Sequence, residues 1–240
     1  MTDITLYAFP TGSGLFNFSP YCGKVDILLK MANLPFTTEM PIDYKTFSKA
    51  KLPVLKDGDT IVQDSEFIRY YLAEKYDYSF DAGISAEAKA TGHAVCRMLD
   101  DRTALAMVWA RWVEDAGWAQ IRPMFFIGQP DDVAEGARAQ VKLGIEGAGF
   151  GRHSHEEMKT LVREDLKAIS ILLGEQEFFL SNTPTYLDAT IFSFIANLYG
   201  TPVKTWLEVE VAAHQNLVDY FHRGMALWYA EAEADIQAAE

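Results

Sequence analysis

Residues 17–36, "NFSPYCGKVDILLKMANLPF", decide the fold. From Pro20 the apolar side chains fall at Tyr21, Val25, Leu28, Leu29 and Ala32, with Lys24, Asp26 and Lys30 opposite, which is helical spacing. Ser19 is a favoured N-cap, and Pro20 at the first helical position gives up no hydrogen bond. Upstream, "ITLYAF" (4–9) alternates as a strand and is ended by Pro10, Gly12 and Gly14. Downstream, "LPFTTEM" (34–40) reads as a second strand. Strand, helix, strand in so short a span is a parallel βαβ unit.

Next come "LPVLK" and "TIVQ", joined by Asp57-Gly58-Asp59, which predict a hairpin. "DSEFIRYYLAEKY" then predicts a helix with Ile68, Tyr71, Leu72 and Tyr76 on one face. "DYSFDAGIS" reads as a linker, and no convincing strand follows it. "MKTLVREDLKAISILL" and "LDATIFSFIANLY" carry helical apolar spacing. The expected organisation is an α/β domain of order βαβ-ββα over residues 1–77, a linker at 78–84 and an all-helical domain at 85–240.

Composition narrows the function. The 240 residues are 49% hydrophobic, ample for a large core. A formal charge of −13, with no local basic cluster, disfavours nucleic acid. Cys22 and Cys96 form no CxxC, which argues against a disulfide scaffold or zinc site and fits a reducing compartment. "MTDITLYAFP" has no basic leader, "TALAMVWARWV" is interrupted by Arg111, and the tail "EAEADIQAAE" is acidic. A cytoplasmic protein without a membrane anchor is the expectation.

The start of the first helix is where chemistry is expected. "SPYC" is one residue from the redox motif Cys-Pro-Tyr-Cys, with Ser19 in place of the first cysteine. Bare amides and the macrodipole make a helix N-terminus an anion site, and a thiolate is an anion. Ser19 could donate to a bound thiolate, Cys22 could be the thiolate, or the two could be a plain cap and a core residue. Pro53, at the head of a strand, could follow a cis bond that leaves the main chain of Leu52 free to pair with an extended peptide. Asp64 and Ser65 open the next helix, as a cap or as a holder for an amine and a carboxylate. Together these features suit a small peptide carrying a thiol.

The chain resembles the glutathione transferases almost end to end: a thioredoxin-like N-terminal domain followed by an all-helical one. "KAKLPVLKDGDTIVQDSEFI", "MVWARWVED", "GFGRHSHEEM" and "TPTYLDATIFSFIANL", with the opening stretch, are similar to the branch holding failed-axon-connections proteins and metaxins. The resemblance implies that Ser19 faces the glutathione sulfur, with Cys22 as the buried second cysteine and Tyr7 as a rival for the sulfur contact. Asn17 would be an extra donor. Leu52, before cis Pro53, would pair with the cysteinyl unit, and Asp64 and Ser65 would hold the γ-glutamyl end. "PIDYKTFSKAK" is short, implying a truncated second helix, with Lys49 or Lys51 left for the glycyl carboxylate. Thr185 and Asp188 match a structural capping box.

The expected activity is activation of the glutathione thiol for attack on a small hydrophobic electrophile held against Trp109, Trp112 and Trp118. Arg111 would hold an anionic substrate group or pair with Glu114 or Asp115. The resemblance further implies a homodimer. Two other readings stand: Cys22-dependent thiol–disulfide (deglutathionylation) chemistry, and a non-catalytic metaxin-like scaffold. His153 and His155 could suggest a metal, but Ser154 and Glu157 in the same stretch spell a capping box, and no metal site is expected.

Overall fold

The computed structural model describes residues 3–9, 17–41 and 43–230. The expected loop around Gly12 and Gly14 and the last ten residues lie outside them. Four strands form one mixed sheet: β1 (Ile4–Tyr7), β2 (Thr37–Glu39), β3 (Val54–Asp57) and β4 (Thr60–Gln63), in the order β2-β1-β3-β4. β1 runs parallel to β2 and antiparallel to β3, with Leu6 opposite Leu55 and Tyr7 opposite Val54. The hairpin turns at Gly58, whose φ of +58° suits a residue without Cβ.

Helix α1 (Pro20–Met31) crosses from β1 to β2, and α2 (Ser65–Lys75) closes the unit, so the βαβ-ββα order holds. Between β2 and β3 only the 3-10 turn Tyr44–Thr46 forms among the described residues, in keeping with the truncation expected there.

The rest is helical: α3 (Ala86–Met98), α4 (Ala104–Val108), α5 (Asp115–Phe125), α6 (Asp131–Gly147), α7 (His155–Leu173), α8 (Tyr186–Tyr199), α9 (Trp206–Ala212) and α10 (Gln215–Trp228). π-helical turns at Leu99–Thr103 and Trp109–Val113 flank α4. The linker is not loose, because Phe80 is buried and its carbonyl accepts the Tyr186 N–H at 2.8 Å.

Helix α8 is buried from Tyr186 through Leu198 and has no polar face, so it must be surrounded. Close approaches allow this: a Cβ on Gly92 would meet Leu187 at 2.4 Å, and one on Gly224 would meet Phe192 at 2.2 Å. The helix starts at the expected capping box. Asp188 accepts the Thr185 N–H at 2.9 Å, and also the Phe179 N–H at 2.7 Å and the Tyr220 hydroxyl at 2.8 Å. Ser154 and Glu157 likewise cap α7. His155 turns to Glu114 at 2.9 Å while His153 packs on Phe150, so the two imidazoles share no metal-binding arrangement.

Asp188→Ala would strand four donors in the interior: the Phe179 and Thr185 amides and the Thr185 and Tyr220 hydroxyls. The expected loss is about 3 kcal/mol of unfolding free energy, read from the urea midpoint at unchanged slope. A loss under about 1 kcal/mol would mean that other acceptors take over.

Candidate functional site

Ser19 is extended (φ −105°, ψ 121°) and caps α1, its hydroxyl oxygen accepting the Cys22 N–H at 3.5 Å. It is half-buried. Cys22, one turn on, is 0% exposed. Burial pushes its thiol up to about 12, against the opposing pull of the Ser19 hydroxyl and the Phe9 backbone. Such a thiol is neutral and unreachable at physiological pH, which removes the basis for Cys22 as a nucleophile. Tyr7 lies within the sheet with its ring 5.6 Å from that of Phe47.

Beside this helix start lies a cleft of about 280 Å³. The structure brings six expected residues to it: Lys49, Lys51, Leu52, Pro53, Asp64 and Ser65. The Leu52–Pro53 peptide is cis. Asp64 holds φ +84° and ψ 131°, a combination costly for a residue with a side chain and one that clusters at ligand sites. Its carboxylate accepts the Glu66 N–H at 2.9 Å, and its own N–H reaches the Pro53 carbonyl at 3.4 Å. Ser65 follows as the first residue of α2, buried at the mouth of the helix amides.

The charges of the cleft are arranged in sets. Glu66 meets buried Lys24 and also Arg69. Burial would raise its pKa, but the two cations outweigh it and bring it down to about 2. On the opposite wall, Arg97 pairs with Asp100, with Asp101 alongside. Burial raises the Asp100 carboxyl, and Arg97 and Lys24 only partly offset this. Tyr21 donates to the Asp100 carbonyl at 3.5 Å and closes the floor. At the rim, Lys49 is committed to the Gln63 carbonyl at 3.1 Å and to the Phe67 ring, while Lys51 has no hydrogen bond or ion pair among the described residues.

An aromatic wall adjoins the α1 start from another side. Phe125, at the end of α5, lies 6.4 Å from Phe9, 6.3 Å from Phe18 and 5.6 Å from Trp112, ring to ring. Of the predicted pocket tryptophans, Trp112 is found there with Trp118 packed against it at 5.9 Å, whereas Trp109 packs against Gly151 on another face. Two further expectations need correction. Asn17 is not turned to a ligand: its amide donates to the Phe9 carbonyl at 2.6 Å, and its oxygen accepts the Ser19 N–H. Arg111 meets neither Glu114 nor Asp115 and is buried, bonded to Phe18 and Asn197. Those two acids are held by His155 and Trp206 and by Arg138.

Comparison with known proteins places this geometry. Residues 20–117 match the family pattern described as glutathione S-transferase, N-terminal domain, and residues 162–224 match that of its C-terminal domain. The isoprene-epoxide–glutathione S-transferase of Rhodococcus sp. (strain AD45) is 31% identical over 92% of this chain and 97% of its own length. The chain belongs to the glutathione S-transferase family. Failed axon connections of Drosophila melanogaster is 26% identical, over 82% of this chain and half of that protein. Human Metaxin-2 is 23% identical, over 83% of this chain and 78% of its own. The solved structure of glutathione S-transferase III in apo form superposes with a TM-score of 0.62 at 19% identity, covering 97% and 96% of the two chains. The sheet with α1 and α2 is accordingly the thioredoxin-like domain of this family, joined to its helical domain.

Sequence reasoning missed Tyr21, Glu66, Arg97, Asp100 and Asp101 as cleft residues. "RMLDD" carries no local mark of it, because only the packing of the helical domain turns that segment toward α2.

The lowered Glu66 carboxyl sets a pH dependence. A depressed acid stabilises the fold above its ordinary value of 4.5, and that contribution is lost as pH falls toward about 2. Glu66→Gln is therefore expected to melt lower than wild type at neutral pH, with the gap closing across that window. A gap that stays constant down to pH 2 would rule out the Lys24–Glu66–Arg69 set as its source.

Proposed function

We propose that the chain binds glutathione in the Leu52–Asp64–Ser65 cleft and activates its thiol at the head of α1 for addition to a small, uncharged apolar electrophile. The observation that carries this is a helix N-terminus with a hydroxyl whose own Tyr21 lines a cleft of paired charges and whose lead-in residue Phe18 belongs to an aromatic wall. The γ-glutamyl carboxylate fits the amides of α2 and Ser65, and its amine fits Asp64 with Asp100 and Asp101 opposite. The cysteinyl backbone fits the main chain of Leu52, and the glycyl carboxylate fits Lys51. The thiol then falls toward Ser19, where a hydroxyl donor and the helix dipole favour the thiolate over a free thiol of pKa about 8.5.

The electrophile fits against Phe9, Phe18, Trp112 and Phe125. The glutathione sulfur loses its proton and attacks carbon. With an epoxide, the C–S bond forms as a C–O bond of the ring breaks, and the released alkoxide takes up a proton. The name of the Rhodococcus relative supports an epoxide as the electrophile.

We read the protein as a cytoplasmic homodimer. Ile61, Phe67 and Tyr70 expose apolar surface on β4 and α2, which supports pairing. No helix among the described residues is long and apolar enough to cross a membrane.

One observation favours a second reading, a glutathione-transferase-like scaffold without turnover: the Ser19 hydroxyl is turned to its own helix, beside Cys22.

Calorimetric titration separates the two readings. Saturable glutathione binding, lost in Ser65→Ala, is expected. Ser19→Ala should keep binding but lower kcat toward an epoxide about a hundredfold, the cost of removing one aimed donor. Binding without turnover would favour the scaffold, and no heat at millimolar glutathione would sink both the transferase and its cleft.

A further inference from the structure

Arg111 is a buried guanidinium that no acid faces among the described residues; burial alone pulls its pKa down, to about 10. An unpaired buried charge destabilises a fold, and an apolar side chain of similar size would fill the space at less cost. What an apolar side chain could not do is hold backbone carbonyls. Arg111 Nη1 donates to the Phe18 carbonyl at 2.9 Å, and both Nη atoms reach Asn197 Oδ1 at 3.3 Å. Nη2 also bonds the Asn197 carbonyl. Asn197 Nδ2 donates to the Asn17 carbonyl at 2.9 Å. Two successive carbonyls ahead of Ser19 are thus gripped from the helical domain. From the other side, the Asn17 side chain clips the Ser19 N–H at 3.1 Å and the Phe9 carbonyl at 2.6 Å. Arg111 sits in the π-helical turn Trp109–Val113, and such turns are frequent at functional sites.

We propose that Arg111 and Asn197 are positioning residues, fixing the Asn17–Phe18–Ser19 lead-in against the helical domain so that the Ser19 hydroxyl and the amides of α1 are aimed at the thiol. This rests on the glutathione reading above. The grip touches no part of the γ-glutamyl cleft, so it acts on the reacting end of the ligand and leaves the holding end alone. Placement matters there, since a displacement of about 1 Å costs about a hundredfold in rate.

The test uses Asn197→Ala, Arg111→Met and the milder Arg111→Lys in the full chain. Glutathione affinity is read by calorimetry, turnover with an epoxide, and ionisation from the ultraviolet thiolate absorbance of bound glutathione. Expected are glutathione affinities within about twofold of wild type, kcat lower by up to about a hundredfold, weaker thiolate absorbance, and partial recovery in Arg111→Lys relative to Arg111→Met. A folded variant that keeps wild-type kcat overturns the proposal, as does one that loses affinity and kcat in equal proportion. Should wild type itself take up no glutathione, the glutathione reading fails separately. Alkylation of Cys22 by iodoacetamide then decides: wild type resistant and Asn197→Ala reactive supports the grip on the α1 start, and equal resistance overturns it.

Discussion

Helix α8 is the constraint around which the rest is arranged. It is apolar on every side, so it is stable only when other elements cover its whole surface. Its few polar groups are satisfied locally or spent on neighbours. Thr190 and Ser193 bond back to carbonyls four residues earlier, at 3.0 and 2.7 Å. Asp188 at one end ties the Phe179 segment and Tyr220, and Asn197 at the other ties the segment before α1. Between them Ser193 lies against Gly23, where even a methyl group would stand 3.0 Å from its hydroxyl. The depth and direction of α1 are therefore set by α8. The helix that Ser19 caps is aimed by α8, whose Phe194 also packs edge-on against Tyr21 of the cleft at 5.8 Å.

The charge arrangement follows from the same packing. The chain carries −13 overall, yet within the cleft acids and bases are matched: Lys24 and Arg69 with Glu66, and Arg97 with Asp100. Matching matters because each wall is partly buried, and an unmatched charge there would neutralise itself or loosen the fold. Asp64 on one wall, Asp101 on the other and Lys51 at the rim have no ion pair among the described residues. Their polarity suits a ligand with an amine near one end and a carboxylate at the other, and it disfavours a polyanion.

The secondary structure was legible wherever one local rule sufficed. The βαβ unit, the Gly58 hairpin, the Ser19, Ser154 and Thr185 caps and the shortened segment after β2 each follow from a few adjacent residues, as does the apolar run of α8. On the Leu52, Asp64 and Ser65 side of the cleft, local rules gave the strand-head proline and the helix cap, and the expectation that they hold a ligand came with the family resemblance. The opposite wall was not legible. Asp100 and Asp101 read as ordinary helix acids, since nothing nearby in the chain says which way their helix faces. Arg111 was expected to find an acid three or four residues on, the usual helical pairing. A π turn and the pull of two distant carbonyls turned it inward. Trp109 and Trp112 stand three residues apart, close enough on a helix to share a face, and tertiary packing separated them.

The replacement of cysteine by Ser19 fixes what kind of chemistry the α1 start can support. With one sulfur in the pair, no disulfide closes between positions 19 and 22, and with Cys22 buried the α1 start presents hydrogen bonding and charge. The hydroxyl oxygen takes the Cys22 N–H over a long 3.5 Å, and the neighbouring thiol is held neutral by burial. Both are weak partners: the distance is at the edge of a hydrogen bond, and a neutral thiol is a poor acceptor. A thiolate arriving at the helix start would offer a charge-assisted bond roughly twice as strong as a neutral one. The hydroxyl proton would then rotate to the incoming sulfur while its oxygen kept the cap, so helix capping and thiolate stabilisation use opposite ends of one O–H group. On the glutathione reading proposed above, a neutral Cys22 would compete only weakly with an arriving anion for the Ser19 proton.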